Sequence, residues 1–527
     1  MIQKIYIKPI LWAFFIASFL LHSCNTTHED DDNKKTETKD TIIQKISISD
    51  SLLLADHIKI INPTFLGNEK RNYYGNEAPS KLQLIWRIKL GTGTTRVGST
   101  LKSWSGAGWT GQPLMIKQDT NLYLIQGAFD HHLKKINAKT GKIIWQYEFD
   151  DVLKGTGTFW VNPYADTITD RYLIMQGSRK GNNKSLASKV VPSYRAVSFI
   201  TGKLVWQLNS TRTRSYSRDV DASSLIINDT AYIGLENALF TVFNPNPKKA
   251  KIKDGILQPE IIFQDTLYKK SDIIKHRGNL VTESSPSRLG NRIYVTSGSG
   301  HVYGYNLNTK KLDWEFFTGS DMDGSPIVTH DNCILVSLEK EYISGKGGVF
   351  KLNPAKSPDS SVIWYFPVKD NFFVFWHGGI IGSVSVNDYY LAKQDSFNLS
   401  SGKTFATKNI PHIAVFTAID ENLYVINTDK TVKGIKVKGP NKKHKYKKPK
   451  LIFKYKTGPS ISTPIIVGNK IIAATYKGIY LFEHDEKMKF KLLAHYATGS
   501  IEATPFVYNK RIYVASRDGF LYCFGEK

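Results

Sequence analysis

From Leu82 to the end of the chain, apolar and polar residues alternate in short runs separated by turn residues. Arg292–Thr296 reads RIYVT, the stretch at 301–306 reads HVYGYN, and 511–515 reads RIYVA. Alternation with β-branched and aromatic residues predicts strands with one face toward a core. The runs come in a recurring order. A short strand follows a Ser/Thr-Pro or Gln-Pro step, a polar turn leads to a second strand, and a Gly or Asp turn leads to a third. A turn such as Lys-Thr-Gly then leads to a fourth strand that often carries Trp. The clearest copies cover 110–149, 284–320, 324–366, 462–500 and 502–524. Four such strands make one antiparallel sheet that cannot cover both of its faces alone. Stacking copies around an axis covers them, and closing the ring protects the edges. The pattern therefore predicts an all-β fold, a β-propeller.

The fourth-strand markers set the blade count: Trp86, Trp145, Trp206, Phe263, Trp314, Trp364, Phe453 and the stretch near His495. The last three strands, 502–524, lack a fourth, and the first recognisable strand, 82–90, lacks three before it. Each completes the other, which predicts eight blades with the N-terminal strand closing the last one. Seven is the alternative if 151–206 or 211–263 is irregular. The long unit at 376–456 is divided into a first strand near Ile380 to Val386, an insertion through about 410, and then HIAVFTA, NLYVIN and LIFKYK.

Two segments carry a family resemblance. Ala138-Lys-Thr-Gly-Lys with Trp145, and Phe199-Ile-Thr-Gly-Lys-Leu-Val-Trp206, resemble the tryptophan-docking repeat of PQQ-like propellers. That family includes pyrroloquinoline-quinone dehydrogenases and the propeller lipoprotein of the outer-membrane β-barrel assembly machinery. The resemblance covers about 82–527 and implies the fold. It leaves function open, because the repeat is a packing device.

The N-terminus is an address. Residues 1–23 have Lys4 and Lys8 before an apolar run, Pro9 to Leu21, that is short for a membrane span. Leu21-His22-Ser23-Cys24 resembles a bacterial lipobox, which implies cleavage before Cys24 and acylation of Cys24, with palmitate-type chains holding the protein on a membrane. Residues 24–45 are polar and charged, a solvated tether with an acidic run at Glu29 to Asp32. That run resembles an export signal for surface display. Residues 46–81 read as a lead-in strap packed on the propeller at 82–527. The implied location is the outer membrane, on the periplasmic or cell-surface side, with the surface side favoured.

Charge and cysteine content narrow the function. With 71 basic and 46 acidic residues, the formal net charge is +25. The lysines concentrate in 433–450, with nine lysines and no carboxylate, and in 245–255, with four. Both segments follow a third strand, so strand counting puts them on the bottom face, the face of the one-to-two and three-to-four turns. For an envelope protein, anionic lipid or acidic glycan suits such a surface better than nucleic acid, and no nucleic-acid partner is expected. Three cysteines exclude a disulfide scaffold. Cys333 and Cys523 fall in separate blades and read as core thiols.

The top face carries the two-to-three loops and the blade-to-blade segments. Trp104, Trp109, Trp160 and Trp376 are assigned there, with Arg218, Asp219, Asp221, Glu283, Asp321, Asp323, His377 and Glu502. The two-to-three loops add Asp130, His131, His132, Glu236, His301, Arg517 and Asp518. Aromatic walls with a few convergent polar groups describe a ligand funnel. No catalytic residue is assigned. No metal site is expected, since adjacent strand positions His131 and His132 point to opposite faces. The chain therefore reads as a monomeric binding or scaffolding propeller, with an envelope protein or a glycan as partner, rather than an enzyme, and no cofactor is expected. The alternative is a quinoprotein alcohol or sugar dehydrogenase, which would need PQQ on a Trp and Ca²⁺ among oxygen ligands. The adjacent cysteine pair of that family is absent. A polysaccharide-binding or lyase propeller is a further alternative.

Overall fold

The computed structural model describes residues 48–401 and 410–526. The signal, Cys24 and the 24–45 tether lie outside the described residues. Eight antiparallel sheets form the ring, seven of four strands and one, that of blade 1, of five. Blade 1 spans Leu114–Glu148, blade 2 Thr158–Leu208, blade 3 Leu225–Thr266 and blade 4 Ser287–Phe317. Blade 5 spans Ile327–Pro367, blade 6 Ser385–Lys456 and blade 7 Ile465–Tyr496. Blade 8 takes three strands from Phe506–Gly525 and its fourth from Gln83–Lys89, with Trp86 opposite Cys523 and Arg87 opposite Tyr522. Joining the two chain ends within one sheet leaves no open blade edge at the closure.

The tryptophan repeat is an inter-blade clasp. Each indole N–H donates to a carbonyl in the three-to-four turn of the next blade: Trp86 to Ala138, Trp145 to Phe199, Trp206 to Pro245, Trp314 to Lys356 and Trp364 to Thr428, at 2.8–3.2 Å. The Lys-Thr-Gly turn is shaped for this contact. Gly202 has φ +71, and a Cβ there would lie 2.9 Å from the Trp145 ring.

The Ser/Thr-Pro step has its own explanation. Around the axis, the backbone N–H of Ser223 donates to Ser285 Oγ, Ser285 to Ser325, Ser325 to Ser383, and Ser383 to Thr463 Oγ1, each at 2.9 Å. From blade 4 to blade 7, the hydroxyl of one blade thus satisfies the inner-edge N–H of the blade before it.

The lead-in segment seals the bottom of the channel. Its strand Ile58–Asn62 pairs with the first strand of blade 1. The chain then crosses the axis and bonds the inner strands of further blades in turn. Phe159 N–H donates to Pro63 O, Thr64 Oγ1 to Ser224 O, Arg288 N–H to Glu69 O and Val328 N–H to Lys70 O. Val386 N–H donates to Tyr74 Oη and Val507 N–H to Tyr74 O. Arg71, fully buried, donates to Pro286 O, Thr64 Oγ1 and Phe65 O. Edges that would otherwise face an open channel are thereby paired.

The lysine segments differ from the sequence expectation. Each starts at a bottom turn but continues as a two-stranded extension folded back over the outer strand of the preceding blade. In blade 6 the register slips between Ile426 and Thr431 and again before Lys436. These slips bend the extension onto blade 5, where Tyr446 packs against Phe350 and Tyr365. Its tip then reaches blade 5's top loop, Gly345 N–H donating to Pro440 O. The blade 3 hairpin, Lys251–Lys253 with Ile256–Gln258, likewise reaches blade 2's top loop through Lys189–Asp254. In blade 6, packing of Tyr446 on Phe350 and Tyr365, not turn position, decides where the lysines end.

Candidate functional site: an acidic floor under an aromatic wall

The top of the channel stays open on the side of blades 1 to 4 as a cavity of about 610 Å³, within the range of ordinary ligand pockets. One wall is a β-hairpin, Thr92–Val97 and Thr100–Ser105, inserted between the closing strand and blade 1. It presents Arg96 and Trp104 to the cavity. His131 Nε2 lies 2.8 Å from Thr94 O and steadies this hairpin. The Trp104 ring lies 5.5 Å from the Arg179 guanidinium, 5.4 Å from that of Arg517 and 5.2 Å from Phe129. The opposite wall is the blade 2 top loop with Lys180, Lys184 and Leu186. Arg218 does not line the cavity. It is buried, and donates to Leu186 O, Ser188 O and Ser210 O, clamping that loop.

Carboxylates make the floor. Asp219 pairs with Arg179 at 2.7 Å and accepts from Lys180 N–H. Although burial opposes it, these cations and Lys154 hold Asp219 below the usual carboxylate range. Asp221, Glu236 and Glu283 converge on one cation, Lys154 Nζ, at 2.5, 3.9 and 3.7 Å. Burial first, then Glu283, pushes Asp221 up to about 7, and burial and Asp221 push Glu236 well above its usual value.

A second trio, Asp321, Asp323 and Glu339, has oxygens within 4.8 Å of one another. Among the described residues, no Lys, Arg or His nitrogen pairs with it. Asn279 Nδ2 donates to Asp321 Oδ2 at 2.6 Å, and Asp321 Oδ1 is buried with no partner. Burial and Glu341 push Asp321 up to about 7, while burial and neighbouring carboxylates push Asp323 and Glu339 higher than usual. This trio supplies hard oxygen donors of the kind a cation takes.

The blade 6 to 8 side of the mouth is filled. Trp109 is 6 % exposed and packs with Ile381, Ile419 and Trp376. Glu502 accepts from Tyr476 Oη and Arg517 Nη1, each at 2.8 Å. His377 is exposed against Phe372 on a tip where Phe372 and Phe375 are 86 % and 78 % exposed.

The sequence-derived set is thus divided. Trp104, Asp219 and Glu283 line the cavity, Asp221, Asp321 and Asp323 lie behind them within electrostatic reach of Glu283, and Arg517 and Glu502 join through Trp104. Asp130 is engaged by Lys134 at 2.6 Å in its own turn. His301 is buried in blade 4 between Glu315 and Asp272, at 2.5 and 3.2 Å. Trp160 is a correction of place: the first strand of blade 2 already begins at Thr158, so Trp160 lies within it. There it is buried toward blade 3, its Nε1 donating to Asp229 of a bottom turn. Sequence reading missed Lys154, Arg179, Glu339, Glu341 and Asn279. Their only sequence signal is position in a top loop.

No protein-family profile matches the chain, and no curated protein matches its sequence. Among solved structures, BamB from Moraxella catarrhalis aligns with TM-score 0.48 and 13% identity over 85% of this chain and 100% of that one. A europium-containing methanol dehydrogenase aligns with TM-score 0.51 and 12% identity over 88% and 98%. The second likeness, at this identity, shows a shared fold alone. Among the described residues, no helix is long and apolar enough to cross a membrane.

Proposed function

We propose that the protein is a lipid-anchored binding propeller of the bacterial cell envelope that captures a partner at its top face. The partner inserts a cationic side chain into the funnel. The observation that carries this reading is the second carboxylate trio. Asp221, Glu236 and Glu283 have their own ammonium in Lys154, whereas Asp321, Asp323 and Glu339 have none. A Lys or Arg supplied by an envelope protein would complete the floor, while Trp104 and the exposed Phe372 and Phe375 supply apolar contact at the mouth. Acylation at Cys24 would hold the protein on a membrane, consistent with the outer-membrane location expected from the lipobox.

The quinoprotein alternative has less support. Trp109 is buried in an apolar cluster, and the Trp104 ring, which lines the cavity, already has the Arg179 and Arg517 guanidinium groups within 5.5 Å, so neither is a bare indole platform for a quinone. The trio itself would suit Ca²⁺, and no reaction step is derived from it. Thermal-shift titration separates the readings, with tetra-arginine peptide, tetra-glutamate peptide, CaCl₂, and CaCl₂ with PQQ as probes. A rise in melting temperature with the arginine peptide, lost in Asp321→Asn/Glu339→Gln, supports the binder. A rise that requires PQQ, or none with the arginine peptide, overturns it.

A further inference from the structure

The top rim between blades 5 and 6 carries two unlike tips side by side. One is the link after blade 5, which reads KDNFFVFWH over 369–377. It is a tight loop: Asn371 N–H donates to His377 O, His377 N–H to Val374 O, and Phe373 N–H to Asn371 Oδ1 at 2.8 Å. Its base is fixed to the top loop of blade 5, where Lys340 N–H donates to Gly378 O and Lys340 Nζ pairs with Asp370. Phe373 rests edge-on against Tyr476 of blade 7. With the backbone closed on itself, Phe372 and Phe375 stand almost wholly in solvent and Phe373 is partly exposed. Folding gains nothing from three phenylalanines gathered in water at one point. The second tip is the end of the blade 6 extension, Lys438 to Lys445, with four lysines and no carboxylate. It is closed by Gly439 N–H donating to His444 O and Lys442 N–H to Gly439 O. Where it meets blade 5, Lys340, Lys346, Lys438, Lys442 and Asp370 line a cavity of about 400 Å³. Asp370 is taken by Lys340, and among the described residues no carboxylate pairs with Lys346, Lys438 or Lys442. Asp370 lines this cavity and lies two residues before Phe372, so the uncompensated ammonium groups and the exposed rings share one rim.

We propose that this rim docks on a bilayer containing anionic phospholipid, with the phenylalanines entering the edge of the hydrocarbon and the lysines holding headgroup phosphates. The two halves of the surface ask for different parts of one partner. A soluble polyanion such as an acidic glycan would neutralise the lysines and leave the rings in water. An apolar protein patch would cover the rings and leave the lysines uncompensated. An anionic bilayer supplies negative charge at its surface and apolar material just beneath it. Lysine stems suit this boundary, since they lie along apolar surface while their ammonium groups reach phosphate. An acyl chain alone holds a protein on a membrane only marginally, and a basic patch is the kind of second signal that makes attachment stable. The proposal shares with the reading above only the anchor expected at Cys24, and docking at this rim uses none of the residues that line the cavity over blades 1 to 4.

The test places an environment-sensitive dye on the full chain at Phe372→Cys and reconstitutes it into vesicles. Cys333 and Cys523 are buried, and the native chain taken through the same labelling is the blank. The expected result is a blue shift of the dye in vesicles with about 30% phosphatidylglycerol and none in pure phosphatidylcholine. The same dye at Tyr164→Cys, in a bottom turn of blade 2, should shift in neither. Adding Lys438→Ala/Lys442→Ala should remove the shift, since two lysines near an anionic surface are together worth about 30-fold in binding. The arginine-peptide titration of the native chain is read without lipid, so the two proposals fail separately. The proposal would be overturned by no shift in either vesicle, by equal shifts in both, by an equal shift at Tyr164, by a shift unchanged in the lysine variant, or by a shift that polygalacturonate produces without vesicles.

Discussion

The two ends of the channel are bounded by the same ring of first strands, yet they are built in opposite ways. At the bottom, the strap from Ile58 to Tyr74 pairs the inner edges of the blades, and even the buried Arg71 donates three hydrogen bonds. At the top, the loops gather carboxylates that repel one another, and the buried Asp321 Oδ1 lacks a hydrogen-bond donor. One end pairs the backbone edges of the blades through the strap, although Arg71 Nη2 and Asn62 Oδ1 are buried there without a partner. The other holds groups in a state that folding alone does not favour, the usual signature of a binding site. The comparison teaches where to look for function: not at the aromatic repeats, which are clasps, but at the end where buried carboxylates crowd one another.

Perturbing the strap should give the largest loss. Arg71→Ala strands the carbonyls of Pro286 and Phe65 and leaves a cavity, and we expect about 4 kcal/mol of destabilisation by chemical denaturation. A loss under about 1 kcal/mol would erase the contrast between the ends. Next comes Lys154→Met, which leaves Asp221, Glu236 and Glu283 without their cation. A cost of about 3 kcal/mol at pH 8 is expected, shrinking toward pH 5 as the carboxyls protonate. A pH-independent cost would point to lost packing instead. Gly202→Ala forces a Cβ against Trp145 at positive φ and should cost about 2 kcal/mol. Gly98→Ala in the top hairpin, also at positive φ but with open space around it, should cost about 1 kcal/mol, separating clasp from hairpin. The smallest stability effect is expected for Trp104→Ala, about 1 kcal/mol or less, yet with loss of the arginine-peptide shift. A large stability loss with the shift retained would make Trp104 a packing residue.

Much of the ring was legible. Trp145 and Trp206 mark fourth strands because one indole must reach the next blade's Gly-containing turn, a contact written at fixed spacing. The closure by Trp86 followed from counting strands. The carboxylates at 219, 221, 283, 321 and 323 could be placed because each precedes a first strand or lies in a link between blades. What failed to show depends on convergence of loops or on local register. Trp160 went to the wrong end because its strand begins two residues earlier than the Trp. The lysine segment of blade 6 bends at slips in pairing that no composition reveals. Asp370 and Lys442 are 72 residues apart and share a cavity only because the blade 6 extension folds back over blade 5.

The central claim is that the top of the channel keeps carboxylates that folding disfavours when charged. Asp321 is raised from its ordinary 3.8 to about 7 by burial and by Glu341. Between those values the folded chain binds more protons than the unfolded chain, so stability falls as pH rises through the window and the loss is complete above it. The direct measurement is unfolding free energy of the native chain and Asp321→Asn at pH 5 and pH 8. The account predicts that the variant gains on the order of 1–3 kcal/mol on the native chain between pH 5 and pH 8. Parallel pH curves for the two chains would contradict it.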